Sequence, residues 1–257
     1  MAFAISVQDS VADTVRLLDD IQRQQIPFAT ARALTRTAQL VKSAEVHEMG
    51  DVFDRPTPYT LDSLFVRSAT KATLSANVWL KSDTSKGTPA DKYLLPQIRG
   101  GGRGMKRMEK ALQSVGALPP GYYVVPGEAA KLDSYGNVDR GLIVQILSYF
   151  KAFPEAGYRA NITDKRKQRL ARGTKSKVGY AFFVGRPGGG KAPLGVWQRF
   201  NLAHGSAVKP VLIFVPGVRF SAIYDFKFVA DQTVARVFPS EFRVSLLDAL
   251  ATARPRQ

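Results

Sequence analysis

The chain has 257 residues, of which 45% are hydrophobic and none is cysteine, and its 37 Lys and Arg against 21 Asp and Glu give a net charge of +16. A chain of this size and composition can bury a sizeable core, and the lack of cysteine excludes disulfides, thiolate metal sites and a thiol nucleophile. The charge predicts a polyanionic partner such as nucleic acid, an acidic protein or acidic lipid, the alternative being a basic surface that serves only solubility.

The N-terminal region, residues 7–50, carries apolar side chains at helical spacing, which predicts amphipathic helices. The pattern breaks and restarts at Ile26-Pro27, because proline fits the first turn of a helix. The apolar stripes are expected either to pack against other subunits or to be buried within one subunit. The residues predicted to form a subunit interface are Val11, Val15, Leu18, Leu34 and Val41.

The next part of the chain changes its period. Residues 64–66 and 74–80 alternate between apolar and polar side chains, which predicts a hairpin of two strands. The stretch 81–104 is rich in Gly, Pro and Lys, and it is predicted to be a long loop. A short helix is expected to follow over residues 105–115.

The remainder of the chain mixes helix and strand signals. Residues 142–150 predict a helix, and three short apolar runs between 178 and 215 predict a mostly antiparallel sheet. A C-terminal helix is predicted over 228–250, kinked or interrupted at Pro239. The predicted fold class is therefore α+β, as one domain over residues 1–257 with N-terminal amphipathic helices, a mostly antiparallel β-sheet and a C-terminal helix.

The stretch 159–177 is the most basic tract of the chain. It has Asp164 as its only acid and few apolar residues, so we predict a loop that is ordered by a polyanion or by an acidic neighbour. Its cations cannot be buried together without counter-charge. The residues predicted to contact DNA or a partner protein are Arg159, Lys165, Arg166, Lys167, Arg169, Arg172, Lys175 and Lys177.

A glycine-rich segment, Gly185–Ala192, matches the start of a phosphate-binding P-loop. Ala192 lacks the hydroxyl that would hold magnesium, and Pro193 leads into a strand pattern where a P-loop needs a helix. We therefore predict a hairpin loop that presents Arg186 and Lys191 as contacts. No catalytic residue, metal site or cofactor is predicted, because the two histidines are far apart and the carboxylates do not cluster in the sequence.

The segment Gln24–Ala38, QQIPFATARALTRTA, resembles the N-terminal helix of tail proteins of the lambda minor tail protein Z family of tailed phages. The segments Gly195–Arg199 and Lys209–Leu212 are similar to a strand pair of phage neck and tail-completion proteins. Position 35 is Thr where such helices often carry Asn. The resemblance covers the chain loosely and is recognisable in these segments.

This resemblance implies a structural virion protein of a tailed bacteriophage, a tail-completion or head–tail junction (neck) ring subunit, and not an enzyme. The implied partners are further copies in a homo-oligomeric ring, other phage tail, connector or portal proteins, and packaged DNA in the channel, with no membrane. The expected location is the virion, and the bacterial host cytoplasm during assembly. The alternatives are an adaptor or tail-tube component of a short-tailed phage, and a non-sequence-specific DNA-binding protein or nuclease.

Overall fold

The computed structural model describes residues 15, 18–19, 21–84, 87–154, 160–202 and 204–252. Helices and antiparallel sheets both occur in these residues, so the predicted α+β class is confirmed. The helices of the described residues are α1 (Ile26–Val52), α2 (Pro58–Leu61), α3 (Ala90–Arg99), α4 (Arg107–Ser114), α5 (Arg140–Tyr149), α6 (Asp164–Arg172) and α7 (Phe226–Ala251), and a π-helical turn, Ile21–Gln25, precedes α1.

The strands form one four-stranded sheet and two strand pairs. The four-stranded sheet has the order β4-β7-β6-β5, and β1 pairs with β2 and β3 with β8; every pairing is antiparallel. The strands are β1 (Leu64–Arg67), β2 (Asn77–Leu80), β3 (Gly101–Gly102), β4 (Tyr123–Pro126), β5 (Gly179–Gly185), β6 (Gly195–Leu202), β7 (Gly205–Val215) and β8 (Arg219–Phe220).

Contacts divide the chain into two compact units. The terminal unit comprises Met1–Arg99 and Ala222–Gln257, and the central unit comprises Gly100–Ser221. Each has an apolar core of its own. The sequence pattern did not predict this division, because the terminal unit joins residues from both ends of the chain.

Two antiparallel helices, α1 and α7, form the frame of the terminal unit. Arg32 pairs with Asp248 at 2.9 Å and Arg36 pairs with Glu241 at 3.7 Å, so the two helices run in opposite directions. Every fourth residue of α1 is buried over five turns, which makes one ridge of the helix. The residues of this ridge are Ala29, Ala33, Thr37, Val41, Glu45 and Met49, and Thr233, Ser245 and Ala249 are buried on α7.

The C-terminal helix continues through Pro239, so the predicted interruption does not occur there. Residues Phe226–Ala251 form one helix with Pro239 inside it. Proline removes one backbone hydrogen bond, the one that its nitrogen would donate to the carbonyl of Ala235. Because α7 packs along α1, the contacts of the flanking turns hold the helix together on both sides of the proline.

The predicted hairpin of β1 and β2 is confirmed, but the predicted loop over residues 81–104 is wrong in its second half. Residues Ala90–Arg99 form α3, which starts where the Gly- and Pro-rich stretch ends. Ala90 and Leu94 lie one helical turn apart and are both buried, in the core that also holds Met49 and Tyr224. Composition indicated a loop, while burial of this short apolar face stabilises a helix.

The central unit follows the sequence prediction more closely. The predicted helix over 105–115 is α4, and the predicted helix over 142–150 is α5, whose first turn is capped by the Asp139 side chain accepting from the Leu142 backbone nitrogen. Both helices contribute to the core on one face of the four-stranded sheet. β7 has 11 residues and is longer than the run predicted for it, because it begins at Gly205.

The predicted N-terminal helix is described only at its end. Val15, Leu18 and Asp19 are helical, and Val11 lies outside the described residues. Within the part of the chain that the structure describes, no helix combines the length and apolar character needed to cross a membrane.

Candidate polyanion-binding surface

The positive charge of the chain is concentrated in one of its two units. The central unit holds 20 Lys and Arg against 6 Asp and Glu, a net charge of +14. The terminal unit holds 17 Lys and Arg against 15 Asp and Glu, a net charge of +2. A surface that attracts polyanions is therefore expected on the central unit.

The basic tract 159–177, predicted as a loop, contains the helix α6. Its first turn is capped by Thr163, whose hydroxyl accepts from the Arg166 backbone nitrogen at 3.3 Å. Asp164 lies in the first turn, and Arg169 and Arg172 lie in the last, which is the charge order that a helix dipole favours. The loop prediction is wrong for residues 164–172, because the Thr163 cap and this charge order stabilise a helix despite the high charge.

The C-terminal end of α6 packs tightly against the edge strand β5. A Cβ built on Gly179 would lie 2.1 Å from the Ala171 carbonyl oxygen, so only glycine permits this approach. Asn201 fixes the same carbonyl by donating its side-chain N–H at 2.7 Å. On the inner side, the Lys167 ammonium lies 4.8 Å from the centre of the Tyr149 ring. These contacts hold α6 against the sheet along one side.

The opposite side of α6 presents a row of cations, Lys165, Arg169 and Arg172, which we call the cationic row. At 3.6 residues per turn the three lie within about 60° of one another around the helix and span about 10 Å along it. All three are exposed. Among the residues that the structure describes, no carboxylate lies within ion-pair distance of the row, and Asp164 pairs instead with Lys151 at 3.1 Å.

Other predicted contacts extend this surface. Arg166 is exposed on α6, and Lys175 and Lys177 are exposed in the turn that follows it, where Thr174 and Lys177 form an isolated β-bridge. Lys167 is half-buried against Tyr149, so it is the least accessible of these predicted contacts. Arg159 lies outside the described residues.

The glycine-rich segment is a hairpin loop between β5 and β6, as predicted. Gly188, Gly189 and Gly190 all have positive φ, between 69° and 86°, which explains the run of glycines. Arg186 and Lys191 are exposed on this loop. A strand of seven residues separates the loop from α6 by about 20 Å, so the two predicted contact sets lie at opposite ends of β5.

We expect the glycine-rich loop to support no nucleotide hydrolysis. Lys191 is followed by Ala192 and Pro193 and then by β6, so neither a magnesium-holding hydroxyl nor a helix N-terminus faces a bound phosphate. Purified protein should show the same background ATP turnover in magnesium buffer as the Lys191→Ala variant. Magnesium-dependent turnover that disappears in the variant would contradict the expectation.

A buried ion pair in the central unit was missed at the level of sequence. Glu109 is fully buried and accepts from both terminal nitrogens of Arg103, at 2.8 and 2.6 Å. It also accepts from the backbone nitrogens of Lys106 and Val124. Burial raises the pKa of the Glu109 carboxyl, but the hydrogen bonds from Arg103 and the two backbone groups lower it, and the net pKa is lowered. A glutamate three residues after Lys106, at the third position of α4, was the available sequence signal.

The predicted interface residues belong to the terminal unit, where two of them line an apolar groove. Leu34 and Val41 of α1 face this groove, which has a volume of about 400 Å³ and is also lined by the β1–β2 hairpin and by α7. Val41 is only 3% exposed and so packs within its own subunit. Val15 and Leu18 are 56% and 59% exposed and lie outside the groove.

Comparison with known proteins gives no relative from which a site could be transferred. In the described residues, no three or more His, Asp or Glu side chains lie close enough together to hold a metal ion. The surfaces of the two units are therefore the features from which a function can be inferred. No family model, no curated protein and no solved structure matches this chain.

Proposed function

We propose that this chain is a structural virion protein of a tailed bacteriophage, a tail-completion or head–tail junction ring subunit. The observation that carries the proposal is that the two units have different surfaces. The central unit holds nearly all the net charge, and the terminal unit has an apolar groove and exposed apolar helix residues. A ring subunit beside packaged DNA needs one surface for a polyanion and another for its neighbours.

The resemblance of Gln24–Ala38 to phage tail proteins supports the same proposal. Most of this segment forms the first turns of α1, and Leu34 within it lines the groove. An adaptor or tail-tube component of a short-tailed phage would use the same two surfaces. Enzymes acting on nucleic acid hold metal with clustered carboxylates or use other grouped catalytic residues, whereas the cationic row consists of Lys and Arg.

The test is a nonsense mutation in the gene, within the phage genome that carries it, followed by electron microscopy of the lysate. We expect filled heads and separate tails that do not join, and joined particles when the wild-type chain is supplied from a plasmid. Mass spectrometry of purified particles should detect the chain. Infectious particles of normal form that lack the chain would overturn the proposal.

DNA binding without sequence preference is the second candidate function, and the cationic row is the observation that favours it. We expect the Lys165→Gln, Arg169→Gln, Arg172→Gln triple variant to bind DNA more weakly and to reduce the salt slope of binding by up to about three units, since each neutralised phosphate contributes about 0.9. The measurement is the dissociation constant for a mixed-sequence duplex at several salt concentrations.

The control for this experiment removes the same charge from the terminal unit. Arg67, Arg236 and Arg243 are exposed there, and their replacement by Gln lowers the net charge of the chain equally. The control variant should keep the wild-type salt slope. Equal losses in the two triple variants would mean that net charge alone, rather than the cationic row, attracts DNA.

A further inference from the structure

The apolar groove of the terminal unit has the form of a docking site for a helix. It is lined by residues of α1 and α7 and by Ala76 and Val78 of the β1–β2 hairpin. The side chains that line it are almost all apolar, and they include Leu34, Val234 and Phe238. Val234 is 42% exposed on the groove wall, so this apolar surface is open to solvent in the single chain. An amphipathic helix is the occupant that such grooves accept.

The N-terminal segment of the chain is an occupant of the right chemistry. Val7, Val11, Val15 and Leu18 recur in the sequence at a spacing of three to four residues, which predicts one apolar side of an amphipathic helix. Val15 and Leu18 are helical and more than half exposed, so their apolar surface has no sufficient cover within the described chain. Residues 1–20 stand before the π-helical turn, a length that would suffice for about five helical turns.

In its own subunit the described part of the segment does not line the groove, since Val15 and Leu18 are exposed and lie outside its lining. Asp19 pairs with Arg23 one helical turn later, at 3.6 Å, and the π-helical turn leads directly into α1. A second copy of the chain is therefore the source of the docked segment.

We infer that the N-terminal amphipathic segment of one copy docks in the groove between α1, the β1–β2 hairpin and α7 of the next copy. The segment and the groove are different surfaces, so the contact repeats head-to-tail around a closed ring or along a filament unless two copies exchange their segments reciprocally, which would close a dimer. The inference rests on the proposed function only for the choice of a ring. It assigns Val15 and Leu18 to one side of the contact, and Leu34 and Val234 to the other.

Site-directed crosslinking tests the contact, and the natural lack of cysteine makes it unambiguous. Leu18→Cys and Val234→Cys are prepared as two separate full-length proteins, mixed, and treated with a short bismaleimide. We expect covalent dimers that contain one chain of each kind. With both cysteines in one chain, the product should be a ladder of multimers. Internal crosslinks without a ladder, or no crosslinking in the mixture, would overturn the inference.

Two controls separate docking from chance collision. Val144 is an exposed residue of the central unit, and Val144→Cys mixed with Leu18→Cys should give no dimer above background. Adding Val234→Asp to a Leu18→Cys, Phe238→Cys chain should reduce the multimer ladder about tenfold or more, because a carboxylate would be buried in an apolar contact. An undiminished ladder would contradict docking in the groove.

Failure of this inference and failure of the proposed function give different results. Chains that form the ladder but are absent from phage particles would leave the docking intact and refute the virion role. A chain lacking residues 1–20 that enters particles at normal copy number would refute the docking and leave the virion role intact.

Discussion

Replacing Glu109 by alanine is expected to lower the free energy of unfolding of the central unit by about 3–5 kcal/mol. The variant leaves the Arg103 guanidinium, only 11% exposed, without its carboxylate partner. It also removes the acceptor for the backbone nitrogens of Lys106 and Val124, so α4 and β4 lose the group that joins them. A buried donor without an acceptor destabilises the folded state further.

Urea denaturation followed by tryptophan fluorescence measures this loss. Trp197 lies in the central unit and is 7% exposed, so a Trp79→Phe background confines the signal to that unit. Glu128→Ala removes an exposed glutamate of the same unit and should change the free energy of unfolding by less than about 0.5 kcal/mol. A loss no larger in Glu109→Ala than in this control would contradict the role assigned to the ion pair.

The same pair predicts a loss of stability in acid. The pKa of Glu109 is lowered in the folded chain, so the unfolded chain binds a proton at a higher pH than the folded chain does. The stabilising contribution is therefore complete above the ordinary pKa of glutamate, and it disappears as the pH falls through the folded pKa. Wild-type protein should lose stability over this acid range more steeply than Glu109→Gln does.

A second buried glutamate should give the opposite pH dependence in the terminal unit. Glu45 of α1 is fully buried, and one of its oxygens accepts from the Tyr224 hydroxyl at 2.6 Å. Burial raises the pKa of Glu45, the Tyr224 hydrogen bond lowers it, and the negative charges of Glu48 and Asp225 raise it again, to about 7 overall. The second oxygen of Glu45 is buried with no hydrogen-bond partner among the described residues.

We expect the free energy of unfolding of the terminal unit to fall by about 3 kcal/mol as the pH rises from about 4.5 to about 7. Over that range the unfolded chain has lost the Glu45 proton, while the folded chain still holds it. Above pH 7 both states are ionised at this site, and the loss is complete. Glu45→Gln cannot ionise and should lack this dependence, so it should gain stability relative to wild type with rising pH.

Circular dichroism at 222 nm during urea denaturation is a suitable measurement, since α1 and α7, with 27 and 26 residues, contain most of the helix of the described chain. At each pH, the wild-type free energy of unfolding is subtracted from that of Glu45→Gln. This difference removes the contributions of all groups that titrate alike in both proteins. A difference that stays constant between pH 4.5 and 7 would refute the raised pKa.

Local signals in the sequence were enough to predict several elements. Ile26-Pro27 marks the start of α1, and the three consecutive glycines before Lys191 mark the β5–β6 hairpin. Each of these depends on backbone conformations or hydrogen bonds among residues close together in the chain, so no distant contact was needed to predict them.

The candidate surface was predicted in part. The count of Lys and Arg between residues 159 and 177 identified the basic tract, but not which cations share a face. Identifying the cations that share a face required the structure of α6. The position of this helix depends on the close approach of Ala171 to Gly179 and on the Asn201 side chain. The concentration of charge in the central unit likewise required the contacts that define the two units.

Composition, local caps and hydrophobic period thus determined the α+β class and the positions of most helices and strands, and the net charge predicts a polyanionic partner. Tertiary structure decided that residues 90–99 form a helix, that Glu109 binds Arg103 inside the core, and that α1 and α7 form a groove. Each of these outcomes depends on contacts between segments or on the removal of a side chain from water, and burial of this kind is not encoded in any single stretch of sequence.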